Sequence, residues 1–254
     1  MDIAIGGIIL IIILLPGISF RKGYFSEEFS NQYTIKDFFE LFVNTLFPSL
    51  LCYILILPII YLICGYYYDF SILLGILSSN DNLVEKSAKQ INEYKFEIIF
   101  FQLIVNSLAF LFGIIIKNEI LEKSYDAKNK FFRYKNPWHY ILTGKYILFK
   151  RSAIKLHNDS VKDIDITFID SVVTIGNETY IYTGMLVDYE LSEDGSLDLL
   201  YIKDVFRKLL NEEDYKEVNG HTLILKYENI INLNVTFIQT EQDNNGNVKL
   251  RLIE

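Results

Sequence analysis

Cysteine and histidine are scarce in this sequence, which has two cysteines and three histidines in 254 residues. Cys52 and Cys64 lie in one uncharged run and are 12 positions apart. On a helix that spacing separates them by about 18 Å, too far for a disulfide bond. We interpret both as small apolar residues of a helix, with palmitoylation or a bridge between chains as the alternatives.

The sequence also lacks the motifs of common enzyme classes, because no G-x-x-x-x-G-K-[ST], G-x-G-x-x-G, G-x-S-x-G or H-E-x-x-H pattern occurs. His139, His157 and His221 have no cysteine or carboxylate companion at metal-ligand spacing, so we expect surface or interfacial positions for them. Carboxylates such as Asp188 and Glu190 are better explained as solvated loop residues than as an acid–base pair. We therefore expect no catalysis, no metal and no cofactor.

Charged side chains are absent from three long runs, residues 3–20, 41–68 and 98–116. A helix over the 28 residues of the second run would be about 42 Å long, more than the ~30 Å hydrocarbon core of a bilayer. These runs predict three transmembrane helices. No Asp, Glu, Lys, Arg or His lies inside them, which argues against a proton relay, a voltage sensor or an ion-coupled transporter.

Details of the helical part follow from proline, glycine and cap residues. The Pro16-Gly17 pair should kink or end the first helix. Residues 70–77 are apolar but too few to span, so they either extend the second helix or lie flat at the interface. Asn82 followed by Glu85 resembles a helix N-cap with a reciprocal carboxylate three residues later.

The polar residues inside the second and third runs are the candidate interface of the membrane part: Asn44, Thr45, Gln102, Asn106 and Ser107. Amides in lipid need hydrogen-bond partners. One interpretation is helix–helix contact within or between subunits, and the other is a water-filled pathway lined by these residues.

Lysine and arginine counts predict the orientation. The first loop begins with Arg21 and Lys22, and the tail after the third run is rich in lysine. In the loop over residues 69–96 only Lys95 lies near a helix end, and Glu93 and Glu97 surround it. The positive-inside rule then places the N-terminus outside and the C-terminal part in the cytoplasm.

The C-terminal half combines a basic segment with an acidic domain. Residues 117–155 have a net charge of +7, and residues 156–254 have a net charge of −11. The acidic domain makes nucleic-acid binding unlikely. The basic segment is rich in aromatic residues and suits an anionic leaflet, so we expect headgroup contacts from five of its side chains: Lys128, Lys130, Arg133, Lys135 and Trp138.

From about residue 163 the apolar pattern has a period of two, and tight turns at Gly176, Gly195 and Gly220 separate five or six short strands. Residues 179–191 read as one long strand that bends at Gly184. This pattern predicts a small β-barrel.

The segments YIYTGMLVDYE, LDLLYIKDVFR and NGHTLILKYENIINLNV resemble the Sm/SH3-like small barrel. In that fold a glycine kinks the second strand and a short 3₁₀ corner joins the last two, and Gly184 and residues 227–229 stand at the matching places. Residues 192–196 and 226–227 replace the family's RNA-binding Asn and Arg-Gly, which argues against RNA. The whole chain also resembles uncharacterised bacterial membrane proteins with a Pro-Gly and Phe-Arg after the first span, an Asn-Pro-Trp segment and a terminal barrel.

Together these features predict an α+β protein: a three-helix transmembrane domain (1–116), a basic juxtamembrane segment (117–155) and a cytoplasmic small β-barrel (156–254). The favoured function is an oligomeric membrane effector or pore-like protein whose barrel senses a small ligand or a cytoplasmic protein. By analogy of layout it would act in antiviral defence, for example as a CRISPR accessory. The alternative is a tethered adaptor whose spans only anchor the barrel.

Overall fold

The computed structural model describes residues 3–33, 38–65, 69–78, 80–150, 152, 161, 164–242 and 248–252. Contacts within the chain define two compact units, Met1–Glu119 and Ile120–Glu254. Helices, three of them long and apolar, precede an antiparallel β-sheet. The predicted α+β class is therefore confirmed. The predicted boundary between residues 155 and 156 lies outside the described residues.

The first unit is helical. It consists of α1 (Ile3–Tyr24), a 3₁₀ helix (Glu27–Tyr33), α2 (Phe38–Cys64), α3 (Phe70–Ile76), α4 (Asp81–Glu93) and most of α5 (Lys95–Glu122). Three segments are long and apolar enough to cross a membrane: Gly7–Tyr24, Phe39–Ile63 and Lys95–Glu122. The prediction of three such helices is confirmed, and it supports membrane association.

Helix boundaries differ from the predictions in two places. Helix α2 ends at Cys64 rather than near residue 68, because Gly65 takes the left-handed backbone that commonly ends a helix, with φ of +71°. Residues 66–68 lie outside the described residues. Helix α4 begins at Asp81, where the side chain of Asn80 accepts a hydrogen bond from the Asn82 amide at 3.0 Å, so Asn82 is not the cap.

Residues 70–76 form a separate helix rather than an extension of α2. The Asp69 carboxylate accepts a hydrogen bond from the Ser71 amide at 2.8 Å and caps α3. Hydrogen bonds from Ser71 lower the pKa of Asp69. Gly75 of α3 packs tightly on Ser87 of α4, because a Cβ at Gly75 would lie only 2.0 Å from the Ser87 hydroxyl.

Helix α1 runs parallel to α5 and antiparallel to α2. Contacts between α1 and α5 follow the same order along both helices, since Ile12 contacts Gln102 and Gly23 contacts Phe110. The order is reversed against α2, because Leu14 meets Ser49 whereas Gly17 reaches Thr45. Small and apolar side chains of α2 and α5 form the core of this unit: Cys52, Ile56, Val105 and Ala109. The directions of α1, α2 and α5 therefore alternate, as expected for a chain that crosses a bilayer three times.

The second unit is built on a seven-stranded antiparallel sheet. Its strands are β1 (Ile166–Ile175), β2 (Glu178–Leu191), β3 (Leu197–Leu209), β4 (Lys216–Glu217), β5 (Leu223–Lys226), β6 (Ile230–Gln242) and β7 (Val248–Leu252). The order is β4-β3-β2-β1-β6-β7, and β5 also pairs with β3. The sheet is not closed within the described residues, and the Sm/SH3-like barrel stays a prediction. The core includes the fully buried Ile169, Leu200 and Ile202.

Glycine permits the irregular pairing in the middle of β2. The register between β2 and β3 shifts between Thr183 and Met185, on either side of Gly184. A Cβ at Gly184 would lie 2.6 Å from the Ile202 side chain and 2.8 Å from the Lys203 carbonyl oxygen. Only glycine fits this close approach of two strands.

Short helices precede the sheet and pack on it. They are α6 (Tyr125–Lys128), a 3₁₀ turn (Lys130–Phe132), α7 (Pro137–Leu142) and a second 3₁₀ turn (Lys145–Leu148). Leu142 joins the buried core of the sheet, and its carbonyl accepts a hydrogen bond from the Thr167 hydroxyl at 3.0 Å. The part of the basic segment around α7 is therefore fixed to the β-sheet.

Candidate functional site

A buried hydroxyl joins α1 to α2. The Ser49 side chain accepts a hydrogen bond from the Gly17 amide at 2.8 Å and donates one to the Leu14 carbonyl at 3.0 Å. Helix packing is close at this point, since a Cβ on Gly17 would lie 2.1 Å from the Thr45 carbonyl oxygen. Thr45 is also buried, and its hydroxyl donates to the Leu41 carbonyl of its own helix at 2.6 Å. Thr45 therefore contributes to a helix contact within the chain.

Gln102 satisfies the carbonyl group that Pro16 leaves unpaired. Pro16 has no amide hydrogen, so the Ile12 carbonyl lacks its usual helical donor four residues later. The Gln102 side-chain amide of α5 donates a hydrogen bond to that carbonyl at 3.2 Å. Pro16 is accommodated inside α1, which continues to Tyr24. The expected kink therefore does not end the helix.

The other three predicted interface residues are placed differently. Asn44 is half-buried and Ser107 is exposed. Asn106 is half-buried, but its Oδ1 atom is enclosed and accepts no hydrogen bond from the part of the chain that the structure describes. Gln102 and Asn106 share a helix face by their spacing, whereas Ser107 lies beside it. The assignment of a pore or a subunit interface to these residues stays a prediction.

Lys117 is a structural residue that the sequence reasoning missed. It lies on α5 and is only 1% exposed. Its ammonium group donates to the Ser26 hydroxyl and to the Glu27 carboxylate, both at 2.9 Å. By sequence it belongs to the basic segment of residues 117–155. Its position directly after an uncharged run is a signal of a lysine that anchors a helix end.

The five residues expected at lipid headgroups fall into two groups. Lys128, Lys130 and Lys135 are exposed. Arg133 is held by the protein, because Nη2 donates to the Ala127 carbonyl at 2.8 Å and the guanidinium stacks 3.7 Å from the Phe149 ring centre. Trp138 is half-buried and contacts Tyr227 edge-to-face, with ring centres 5.0 Å apart.

A buried polar cluster lies between α6, α7 and the second 3₁₀ turn. The Asp126 carboxylate is 0% exposed, and Lys145 Nζ lies 3.5 Å from its Oδ2 atom. The His139 Nε2 atom lies 3.9 Å from the same oxygen. Lys145 also donates to the Leu121 carbonyl at 3.0 Å, in the last turn of α5. The lysine thereby holds the cluster against a helix C-terminus, where a cation is favoured.

The expected surface position of His139 is wrong, since this residue is 5% exposed. Asn136 begins α7 and accepts a hydrogen bond from the His139 amide at 3.0 Å, with Pro137 at the first helical position. This start turns His139 inward, and the isolated sequence pattern gave no sign of Asp126 as its neighbour. His221 is exposed, and His157 lies outside the described residues.

Tyrosines complete the same region. The Tyr140 hydroxyl accepts a hydrogen bond from the Tyr134 amide at 2.8 Å, and both side chains are buried. Burial raises the pKa of Tyr140, and the negative charge of Asp126 raises it further. Tyr140 is therefore neutral near pH 7 and acts as a hydrogen-bonding group rather than as a base.

A cavity of about 310 Å³ opens beside these tyrosines. Its walls are formed by the aromatic rings of Tyr134, Tyr140, Tyr146 and Phe149. Pro137 and Ile141 of α7 and the cations Arg133 and Lys135 complete the lining. An apolar cavity with a few cationic groups is the arrangement expected for a ligand that combines an apolar body with a negative charge.

Within the described ranges, no group of three or more His, Cys, Asp and Glu side chains is arranged to hold a metal ion. Comparison of the chain with protein-family models, with curated proteins and with solved structures gave no match.

Proposed function

We propose that this protein is a membrane-tethered adaptor: the helical unit anchors the chain in a bilayer, and the β unit binds a partner. The observation that carries this proposal is the satisfaction of polar groups between the apolar helices. The Ser49 hydroxyl and the Gln102 amide bond to backbone carbonyls of α1. A pathway would leave such groups facing water, whereas an anchor needs them paired within the bundle.

The proposed placement is a bacterial inner membrane, with the N-terminus outside and the β unit in the cytoplasm. Alternating directions of α1, α2 and α5 support three crossings, which put the two ends of the chain on opposite sides. Basic residues directly after the first and third apolar runs support a cytoplasmic location for those helix ends. The adaptor is proposed to have no catalytic activity.

A small barrel of the Sm/SH3-like kind is the proposed form of the β unit. Strand β5 ends at Lys226 and β6 begins at Ile230, so about 14 Å of extended chain at most connects them. In a flat sheet the pairing order would separate these strands by four spacings, about 19 Å. The sheet must curl for the connection to reach, which supports a barrel-like curvature.

The proposed partner of the β unit is a cytoplasmic protein. Edge strands of an open sheet present unpaired backbone groups that can pair with another chain. Exposed apolar side chains on β2, β5 and β6 are consistent with such an interface: Val187, Ile224 and Ile231. The acidic character of residues 156–254 would favour a partner with a basic surface.

A second candidate function is an oligomeric membrane effector or pore-like protein. Antiviral defence is one biological role that it would fit. It is favoured by one observation: Asn106 Oδ1 is enclosed without a hydrogen bond in the described chain, and the exposed Ser107 follows it on α5. A second copy that supplies a donor would satisfy the amide. Homo-oligomerisation belongs to this candidate.

Stoichiometry and leakage separate the two proposals. The full chain, purified in detergent, is weighed by native mass spectrometry and then reconstituted into dye-filled liposomes. The adaptor is expected to be a monomer or a dimer and to retain the dye. A ring of several copies that leaks, with leakage changed by Gln102→Leu or Asn106→Leu, would overturn the adaptor in favour of the pore.

A further inference from the structure

We propose that the cavity beside α7 binds the headgroup of an anionic phospholipid. The lipid would lie in the leaflet that contains the C-terminal end of α5. This inference rests on the proposed membrane placement. The sequence indicates a general attraction between the basic segment and anionic lipid, and the proposal locates a specific lipid contact in one cavity.

The cavity is fixed to the end of the third apolar helix. Lys145 begins the 3₁₀ turn that carries Tyr146, a cavity residue, and its ammonium group donates to the Leu121 carbonyl in the last turn of α5. Arg133 follows Glu122, the last residue of α5, by only 11 positions. If α5 crosses the bilayer, this short connection lets the cavity residues reach the headgroups at its end.

The charge of the lining selects an anion. Two of the lining residues, Arg133 and Lys135, are cations, and none of the lining residues that the structure describes is a carboxylate. The guanidinium of Arg133 is oriented in advance by the Ala127 carbonyl and by stacking on Phe149. Such a planar, fixed donor suits a phosphate group.

The apolar walls select a lipid over a free phosphate ion. Four aromatic rings, together with Pro137 and Ile141, form most of the lining. Aromatic residues favour the boundary between headgroups and hydrocarbon, where the glycerol and upper acyl carbons of a phospholipid would contact them. A free phosphate ion would leave these surfaces without a partner.

Soluble short-chain lipids test the proposal on the full chain in detergent. Native mass spectrometry counts bound dihexanoyl phosphatidylglycerol, with dihexanoyl phosphatidylcholine as the zwitterionic comparison. One molecule of phosphatidylglycerol is expected to bind saturably. Lys135→Gln should weaken binding about fivefold, since a base near an anionic lipid contributes ~1 kcal/mol. Ile141→Trp fills the cavity and should weaken binding more than tenfold.

Lys128→Gln removes an exposed base from the same segment outside the cavity lining and should leave binding unchanged. Equal binding of the two lipids, or equal effects of Lys128→Gln and Lys135→Gln, would overturn the proposal. Competition by inorganic phosphate at the same concentration would assign the site to a free anion instead. A chain that inserts into bilayers but binds no lipid refutes only the cavity, whereas a chain that does not insert refutes the proposed function.

Discussion

At the scale of single residues, the polar groups of the apolar helices have distinct tasks. Gln102 pairs with the carbonyl freed by Pro16, whereas Asn106 Oδ1 has no hydrogen-bond partner among the described residues. Both are amides at helical spacing, so their sequence context alone does not distinguish them. The structure does, because only one of them reaches a carbonyl group that lacks its helical donor.

Leucine substitutions at these two amides should therefore differ. Gln102→Leu is expected to lower the free energy of unfolding by about 0.6–1.7 kcal/mol, the average and the largest value from double-mutant cycles on hydrogen bonds between membrane helices. Asn106→Leu should be neutral or stabilising, because it removes an unpaired polar atom from an enclosed position. Unfolding in mixed detergent, followed by circular dichroism, measures both. Equal losses in the two variants would contradict the assigned roles.

The buried Asp126 depends on Lys145. Lys145→Met is expected to destabilise the second unit by about 3 kcal/mol, because it leaves a buried carboxylate without its cation. Adding Asp126→Asn should recover most of the loss, since the remaining charge is then gone. Thermal unfolding compares the variants, with Lys150→Met as the control at an exposed lysine. A double variant as unstable as Lys145→Met alone would argue against the pair.

At the scale of elements, glycine sets how closely the apolar helices approach. A Cβ at Gly113 of α5 would lie 2.2 Å from the Phe20 carbonyl oxygen, and one at Gly23 of α1 would lie 2.2 Å from the Phe110 carbonyl oxygen. Backbone atoms cannot move away as a flexible side chain could. Close packing of small residues is a main source of stability between membrane helices.

Gly113→Ala is accordingly expected to lower the stability of the helical unit by about 1–3 kcal/mol through overpacking. Gly7→Ala is the matched control, since a Cβ there meets nothing within 4 Å. Alanine favours a helix over glycine by up to about 1 kcal/mol, so the control should be neutral or stabilising. Detergent unfolding of the two variants measures this difference, and the packing argument fails if Gly113→Ala behaves like Gly7→Ala.

The turn between β2 and β3 contributes to folding stability in a pH-dependent way. Hydrogen bonds from Ser192 and Ser196 lower the pKa of Asp194 to about 2. An unfolded aspartate titrates near 3.9, so the turn is stabilised above about pH 4, and that stabilisation is lost as the pH falls toward 2. The melting temperature of Asp194→Asn should lie below that of the natural chain at pH 6, and the gap should close near pH 2. Asp198→Asn is the control for the loss of one negative charge. A difference in melting temperature that widens on acidification would contradict the link between the pKa of Asp194 and stability.

Sequence periodicity predicted the regular elements well and the connecting segments poorly. Three uncharged runs and a period of two are strong local signals, so the long helices and most strands were predictable from them. The end of α2 at Gly65 and the start of α3 at Asp69 depend on backbone geometry at single residues. The buried Asp126 and His139 depend on contacts between short helices, and a basic, aromatic composition concealed their burial.

At the scale of the whole molecule, the proposed function requires three crossings of a bilayer. The loop that contains α4 and the β unit flank α5, so they lie on opposite sides of the bilayer only if α5 crosses it. Neither the paired amides nor the lipid cavity has its proposed meaning unless α1, α2 and α5 lie in lipid. The orientation of the chain is therefore the central claim.

Cysteine labelling in intact cells tests that claim most directly. Single cysteines are introduced by Lys86→Cys in α4 and by Glu193→Cys between β2 and β3, both exposed positions, with Cys52 and Cys64 replaced by alanine. A membrane-impermeant maleimide, applied from the outside, should label the α4 position and leave the β position unlabelled until the cells are permeabilised. Labelling of the β position in intact cells, or of both positions alike, would contradict the account.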